Sequence, residues 1–213
     1  KPNWSALARV ERGSVSFVFT HHNLNIFPFL ERLRDLAARY GREWHPFMQW
    51  AYATAACSPD TRITWEDLPI LESHLYELAD MRLSGDSQAY SLFEGHLVPY
   101  KKEMAAKVEG VAMCDGRGVS VDLNGKIFSC HHAPTPANVI GDYRGGATSG
   151  IERIAVTNSR RFIDSKNCMG CRIRFYCRGG CHQSITHEIE CGLNRIKADV
   201  FDYIIKKELE NDK

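Results

Sequence analysis

Seven of the eight cysteines in this chain fall in one C-terminal stretch at ordered intervals: Cys114, Cys130, then Cys168-x2-Cys171-x5-Cys177-x3-Cys181, and finally Cys191. Thiolates two to five residues apart on a tight loop can converge on one metal centre. A disulfide uses only two of them, and an odd number leaves one unpaired. The spacing therefore points to metal, and whatever fold the chain adopts must gather sulfur from both ends of this stretch.

The rest of the composition is that of an ordinary globular chain. With 213 residues, 44% hydrophobic and 25% charged, it can bury one or two modest cores. A net charge of +1 excludes an overall electrostatic case for a nucleic-acid or acidic-membrane partner. No apolar run approaches the roughly 18 to 20 residues needed to span a bilayer. A cytoplasmic, reducing setting is expected, where clustered cysteines serve as metal ligands more often than as disulfides. The sequence starts at Lys1 and shows neither an initiator Met nor a signal peptide, so a fragment of a longer protein is expected.

Along the chain, strand and helix patterns alternate. The run 14–20 is β-branched and aromatic, ends at His21, His22 and Asn23, and predicts a buried strand. Apolar residues then recur at helical spacing over 26–40, with Pro28 near the first turn and Gly41 just past the end. A second strand is expected over 47–56. Thr64 and Asp67 have the spacing of a capping box for a helix running to about Arg82. These two β-α units imply parallel α/β architecture. A further helix is expected over 89–108. Residues 119–130 read as a hairpin around Asn124-Gly125, expected to be a type I′ turn. One or two short helices over 151–163, a cysteine-rich loop over 168–191 and an amphipathic helix over 195–209 complete the pattern.

Four thiolates holding an iron–sulfur cube leave it with net negative charge. No acid lies between Asp164 and Glu188, whereas Lys166, Arg172, Arg174 and Arg178 sit among the cysteines and could offset that charge, or simply form a solvated basic face. Gly170, Gly179 and Gly180 would let the backbone approach a bulky cluster and donate amides to its sulfurs, or serve as ordinary turn residues. Tetrahedral zinc is the other metal that suits a Cys-x2-Cys knuckle, with His182 or His187 as fourth ligand.

On these residues the sequence resembles the SPASM domain, the auxiliary-cluster extension of radical S-adenosylmethionine (SAM) enzymes. That family's pattern is a Cys, a variable gap, Gly-x4-Cys, then Cys-x2-Cys-x5-Cys-x3-Cys and a last Cys. It is matched by Cys114, Gly125, Cys130, Cys168, Cys171, Cys177, Cys181 and Cys191. The resemblance is close over 114–191, and the preceding β-α units look like the last part of the family's partial (β/α)6 barrel. The implied fold is thus the C-terminal part of such a barrel (1–83), a helical linker (84–113), a small α+β iron–sulfur domain (114–191) and a closing helix (192–213).

The resemblance also implies cofactors and partners. Cys168, Cys171, Cys177 and Cys191 would hold an outer [4Fe-4S] cluster, and Cys114, Cys130 and Cys181 an inner one, so that neither closes without both ends of the module. No further cysteine lies beside Cys114, which leaves the inner cluster with three thiolates and an open iron as the expectation. Family members that oxidise sulfatases carry an aspartate directly after the cysteine matching Cys130. Here His131 and His132 stand there, which favours a relative that modifies other peptides; they could supply a ligand, move a proton near neutral pH or act only as surface residues. Such an enzyme cuts SAM to a 5′-deoxyadenosyl radical, acts on a peptide or protein, and draws electrons from a flavodoxin or ferredoxin.

The Cys-x3-Cys-x2-Cys loop that holds the SAM-cleaving cluster is absent from these residues, so this chain alone is expected to be inactive, with SAM and a third [4Fe-4S] cluster belonging to the full-length protein. Cys57 stands alone and reads as a small buried hydrophobe. Asn23 and the segment 49–52 lie where a barrel's C-terminal edge faces its active site, which makes Asn23 the candidate SAM-side residue, with an Asx turn as its structural alternative. His21, His22 and Trp50 read as strand-finishing residues. Without a radical domain, the chain would be a non-catalytic iron–sulfur electron carrier or docking module.

Overall fold

A computed structural model describes residues 14–41, 43–50, 58–107, 120–128, 136, 139–144, 166–177, 180 and 186–211. They fall into two compact units, one of Lys1–Ala51, Ile63–Pro99 and Asp199–Lys213, the other of Tyr52–Arg62 and Tyr100–Ala198.

The first unit is mixed α/β. Strand β1, Ser14–Phe19, and strand β2, His45–Trp50, pair in parallel from Ser14↔His45 to Phe19↔Trp50. Parallel neighbours need a crossover, and helix α1, Phe27–Tyr40, supplies it. Pro28 sits in its first turn, where a missing N–H is harmless. Gly41 closes it at φ +61°, donating to the Ala37 carbonyl at 2.8 Å. Leu33 and Leu36 of α1 pack with Trp44, flanked by Val15, Phe29 and Ala37. Alternate residues Phe17, Phe19, Met48 and Trp50 are buried while Ser14, Ser16, Val18, His45 and Gln49 are exposed, so β1 buries one face only. Phe19 and Trp50 stack with ring centroids 4.6 Å apart.

Helix α2, Leu68–Leu83, starts later than a Thr64 cap implies. Pro69 belongs to its first turn, Asp67 is the cap residue, and the Asp67 carboxylate accepts the Thr64 N–H at 2.8 Å. Helix α3, Ser87–Ala106, is capped by Asp86, whose Oδ1 accepts the Gln88 and Ala89 amides at 3.1 and 2.8 Å. Gly95 of α3 passes so close to the Phe47 ring that a Cβ would lie 3.1 Å from it.

Helix α6, His187–Asn211, begins two turns before the expected Arg195. Its later residues complete the first unit: Phe201 meets Phe93 edge-on, and Tyr203 donates to Asp80 at 2.6 Å. Arg82 lies buried there, 2.8 Å from Glu208, 3.5 Å from Glu94 and 4.2 Å from the centre of the Tyr90 ring.

In the second unit, strands β3, Ser120–Val121, β4, Lys126–Phe128, and β5, Val139–Asp142, form an antiparallel sheet in the order β3-β4-β5. The hairpin is present as expected, but its turn is not type I′. That turn needs positive φ at Asn124, and Asn124 is not among the positive-φ residues. Instead Asp122 accepts the Gly125 amide on its carbonyl and pairs back to Lys126, a three-residue loop with Gly125 at φ +86°. The Asp122 side chain decides this, because its Oδ1 takes the Asn124 and Lys126 amides at 2.9 and 2.8 Å. Two single helical turns, α4, Lys166–Met169, and α5, Arg174–Cys177, lie in the expected cysteine loop. The helices expected over 151–163 and the strand end at 51–56 lie outside the described residues.

Arg82 tests which force holds the first unit's helices. Both of its carboxylate partners are a third or more exposed and therefore screened, worth about 0–1 kcal/mol each. The buried stem is worth about 0.8 kcal/mol per methylene. Arg82→Ala should cost about 2 kcal/mol in denaturant unfolding, and Arg82→Met, which keeps the stem, under about 1. Equal losses would put the energy in the ion pairs.

Candidate metal centre

Among the described residues, Cys168, Cys171, Cys177 and Cys191 carry no disulfide. Local backbone geometry presents the first three. The Cys171 amide donates to the Cys168 carbonyl at 3.1 Å, Arg174 to Cys171 at 3.1 Å, and Cys177 to Ile173 at 2.8 Å, so the segment carrying the three cysteines winds in successive turns. Gly180 then donates to the Cys177 carbonyl at 2.8 Å with φ +76°, a left-handed conformation that ends the run just before Cys181.

Cys191 arrives on α6, not on a loop. Loss of water around the thiol, then the nearby Cys168, hold it above the usual cysteine range; Glu190 and Cys171 push the same way and Arg195 opposes them. Cys191 therefore lies within electrostatic reach of both members of the Cys168-x2-Cys171 pair. Cys177 is buried and accepts a hydrogen bond on its sulfur from Asn194 Nδ2 at 3.5 Å. Beside it is Lys197, buried, its ammonium pushed down to about 8 by desolvation against the opposing pull of Cys177 and Glu190. Burial also pushes the Tyr176 phenol up, reinforced by Cys177 and Glu103; its ring meets Tyr100 edge-on at 5.0 Å.

Glu190, Asn194 and Lys197 occupy one face of α6 at intervals of four and three residues, and all three are buried. Sequence reasoning missed them. Their polarity interrupts the apolar period, which is also why the helix was expected to start only at Arg195. The available signal was that Leu193, Ala198, Phe201 and Ile204 share the same helical period as these polar residues. Of the local basic residues, the Arg174 guanidinium donates to the Met169 carbonyl and lies 4.7 Å over the Phe175 ring, and Arg172 is exposed; Lys166 and Arg178 lie outside the described side chains. Among the described residues, Lys197 is a buried cation beside a cysteine.

These donors fit an anionic iron–sulfur cluster in kind: thiols from two segments, an amide N–H on one sulfur and a buried cation beside it. Among the described residues, Cys168, Cys171, Cys177 and Cys191 included, no three Cys, His, Asp or Glu side chains stand together so as to hold a metal ion. His187 is exposed at the first position of α6. Cys57, Cys114, Cys130, Cys181, His131, His132 and His182 lie outside the described residues.

At the C-terminal edge of β1, Thr20 and Asn23 bridge across a tight turn, and Asn23 Nδ2 donates to the Val18 carbonyl at 3.1 Å. His21 does more than finish the strand. Its Nδ1 lies 3.0 and 3.1 Å from the two oxygens of buried Asp67, tying the strand end to the start of α2. A carboxylate only accepts, so Nδ1 carries the hydrogen.

No family model matches the chain, and no curated protein matches it. Solved structures do. Native anSMEcpe with bound AdoMet aligns with a TM-score of 0.60 at 11% identity, covering 91% of this chain and 56% of that one. The form with AdoMet and the Cp18Cys peptide gives 0.60 at 11% identity over 94% and 58%, and that with the Kp18Cys peptide 0.57 at 10% over 99% and 72%. The chain is thus similar in fold to part of anSMEcpe and spans a little over half the length of the first two structures. No helix among the described residues is long and apolar enough to cross a membrane.

A Cβ at Gly180 would sit 2.8 Å from Glu190 Oε1, and the positive φ disfavours any side chain. Gly180→Ala should therefore lose about 1–2 kcal/mol of stability from its left-handed backbone alone, read as a denaturation midpoint of the metal-free protein. A loss below a few tenths would show that this turn relaxes freely.

Proposed function

We propose that the chain is the C-terminal portion of a radical SAM/SPASM maturase that modifies a peptide or protein, with two auxiliary [4Fe-4S] clusters for electron transfer or substrate binding. One observation carries the reading: the fold is similar to anSMEcpe, whose solved forms hold AdoMet and peptides. The ordered spacing of seven cysteines supports it independently.

In this reading Cys168, Cys171, Cys177 and Cys191 hold the outer cluster. Cys114, Cys130 and Cys181 hold the inner one, within a cluster domain over 114–191. Residues 1–83 form the last β-α units of the barrel, and 84–113 link the two. Asn23, which closes the turn after β1, lies on the SAM side. SAM, a third [4Fe-4S] cluster and an electron donor such as a flavodoxin or ferredoxin serve the full-length protein. When bound, SAM and its cluster supply one-electron hydrogen abstraction, and the auxiliary clusters accept or pass an electron. The chain's own contribution is positional: thiols at fixed spacing, an amide donor on Cys177, and the Lys197 ammonium as a buried counter-charge.

A second reading, a non-catalytic iron–sulfur carrier or docking module, rests on the same seven cysteines, which could hold clusters with or without a SAM-cleaving domain. The complete gene product decides between them. SAM-dependent release of 5′-deoxyadenosine supports the maturase, and a gene product that binds auxiliary clusters without cleaving SAM supports the module.

Both readings require iron. Anaerobic reconstitution of this chain with iron and sulfide should give broad absorption near about 400 nm and about eight irons per chain. Colourless protein, or protein that holds only zinc under these conditions, would overturn both.

A further inference from the structure

A helix that buries Glu190, Asn194 and Lys197 on one face gives up the cheapest way of packing against its neighbours. Each buried polar group costs free energy unless a hydrogen-bond or charge partner nearby offsets it. The described contacts show what lies beside these three. Asn194 donates to Cys177 Sγ at 3.5 Å, Lys197 interacts electrostatically with the same thiol, and Glu190 precedes Cys191 and reaches Gly180. All three residues face the sulfur chemistry.

Resting on the outer-cluster reading above, we infer that Asn194 is a positioning residue for that cluster: its buried side-chain amide, projected from α6 onto Cys177 Sγ, fixes this ligand and raises the cluster's reduction potential. The physical basis is differential. Reduction adds an electron that is shared with the cysteine sulfurs, and an N–H directed at one of them stabilises the reduced form more than the oxidised form. At a site buried to 2% exposure, water cannot replace a lost donor. Asn194 lies three residues after Cys191, so the helix that delivers one ligand also sets the environment of another.

The test uses this chain reconstituted anaerobically, with a redox titration followed by electron paramagnetic resonance. Asn194→Leu keeps the branched shape without the donor, and Asn194→Asp replaces the donor with a negative charge. The wild type should have the highest outer-cluster potential, Leu a lower one and Asp the lowest. The step from wild type to Leu should be about tenfold in the reduced-to-oxidised ratio, or about 59 mV for one electron. A purely packing role predicts no change from wild type to Leu, which keeps the shape; the Asp variant, whose added negative charge lowers the potential in any case, calibrates how strongly this position acts on the cluster. Iron-loaded variants with unchanged potentials would overturn the Asn194 assignment alone, and wild-type protein that binds no iron would overturn the cluster reading and this inference together.

Should neither variant fold, the wild-type contact is measurable directly. Protein carrying ¹⁵N in its asparagine side chains, in an Asn167→Gln background that removes the asparagine beside Cys168, should show a ¹⁵N hyperfine coupling to the reduced outer cluster. Its absence would overturn the inference.

Discussion

Taking a thiol out of water and setting other sulfurs beside it both resist its ionisation, and Cys191 in the second unit is under that constraint. Loss of water holds it above the usual cysteine range first, and Cys168, Glu190 and Cys171 add to this against the pull of Arg195. Positive charge placed beside such sulfurs favours their ionised, metal-binding form. Part of that charge comes from the protein. Lys197 is buried beside Cys177, and Asn194 directs an N–H at the same sulfur. The remainder is the role of the proposed clusters, whose iron makes ligation of all four thiolates favourable.

Helix α6 delivers Cys191, Asn194 and Lys197 from one rigid segment, so their spacing cannot drift independently. Gly180 takes up the opposite requirement. Directly before Cys181 the backbone must turn in the left-handed region while the Glu190 carboxylate occupies the place of a side chain. A rigid helix bearing Cys191 and a sharp backbone turn three residues after Cys177 together constrain sulfurs that are far apart in sequence.

Elements whose signals are local were legible in advance. The β1–α1–β2 unit followed from a β-branched run, a helical apolar period and the Pro28 and Gly41 boundaries, and the hairpin at 120–128 from its alternation. The errors share a cause. Asp122 changed the turn type by capturing two amides, Asp86 supplied a cap for α3 that had not been singled out, and Asp67 was drawn to His21 as well as to Thr64. A short carboxylate has several backbone amides within reach, and packing chooses among them. The start of α6 was missed because Glu190 and Asn194 stand on its buried face beside Leu193, and a hydrophobic period cannot register buried polar residues.

The sequence alone determined which sulfur donors this protein has and how they are spaced, because the interval between cysteines along a chain is covalent and survives any folding. It also determined the β-α order of the first unit, since backbone propensity and side-chain period act over a few residues. Only the tertiary structure decided what surrounds those sulfurs: that Cys191 is helical, that Asn194 reaches Cys177, and that Lys197 lies buried beside it. Those facts depend on which segments exclude water from one another, and desolvation belongs to the assembled fold, not to any stretch of the chain.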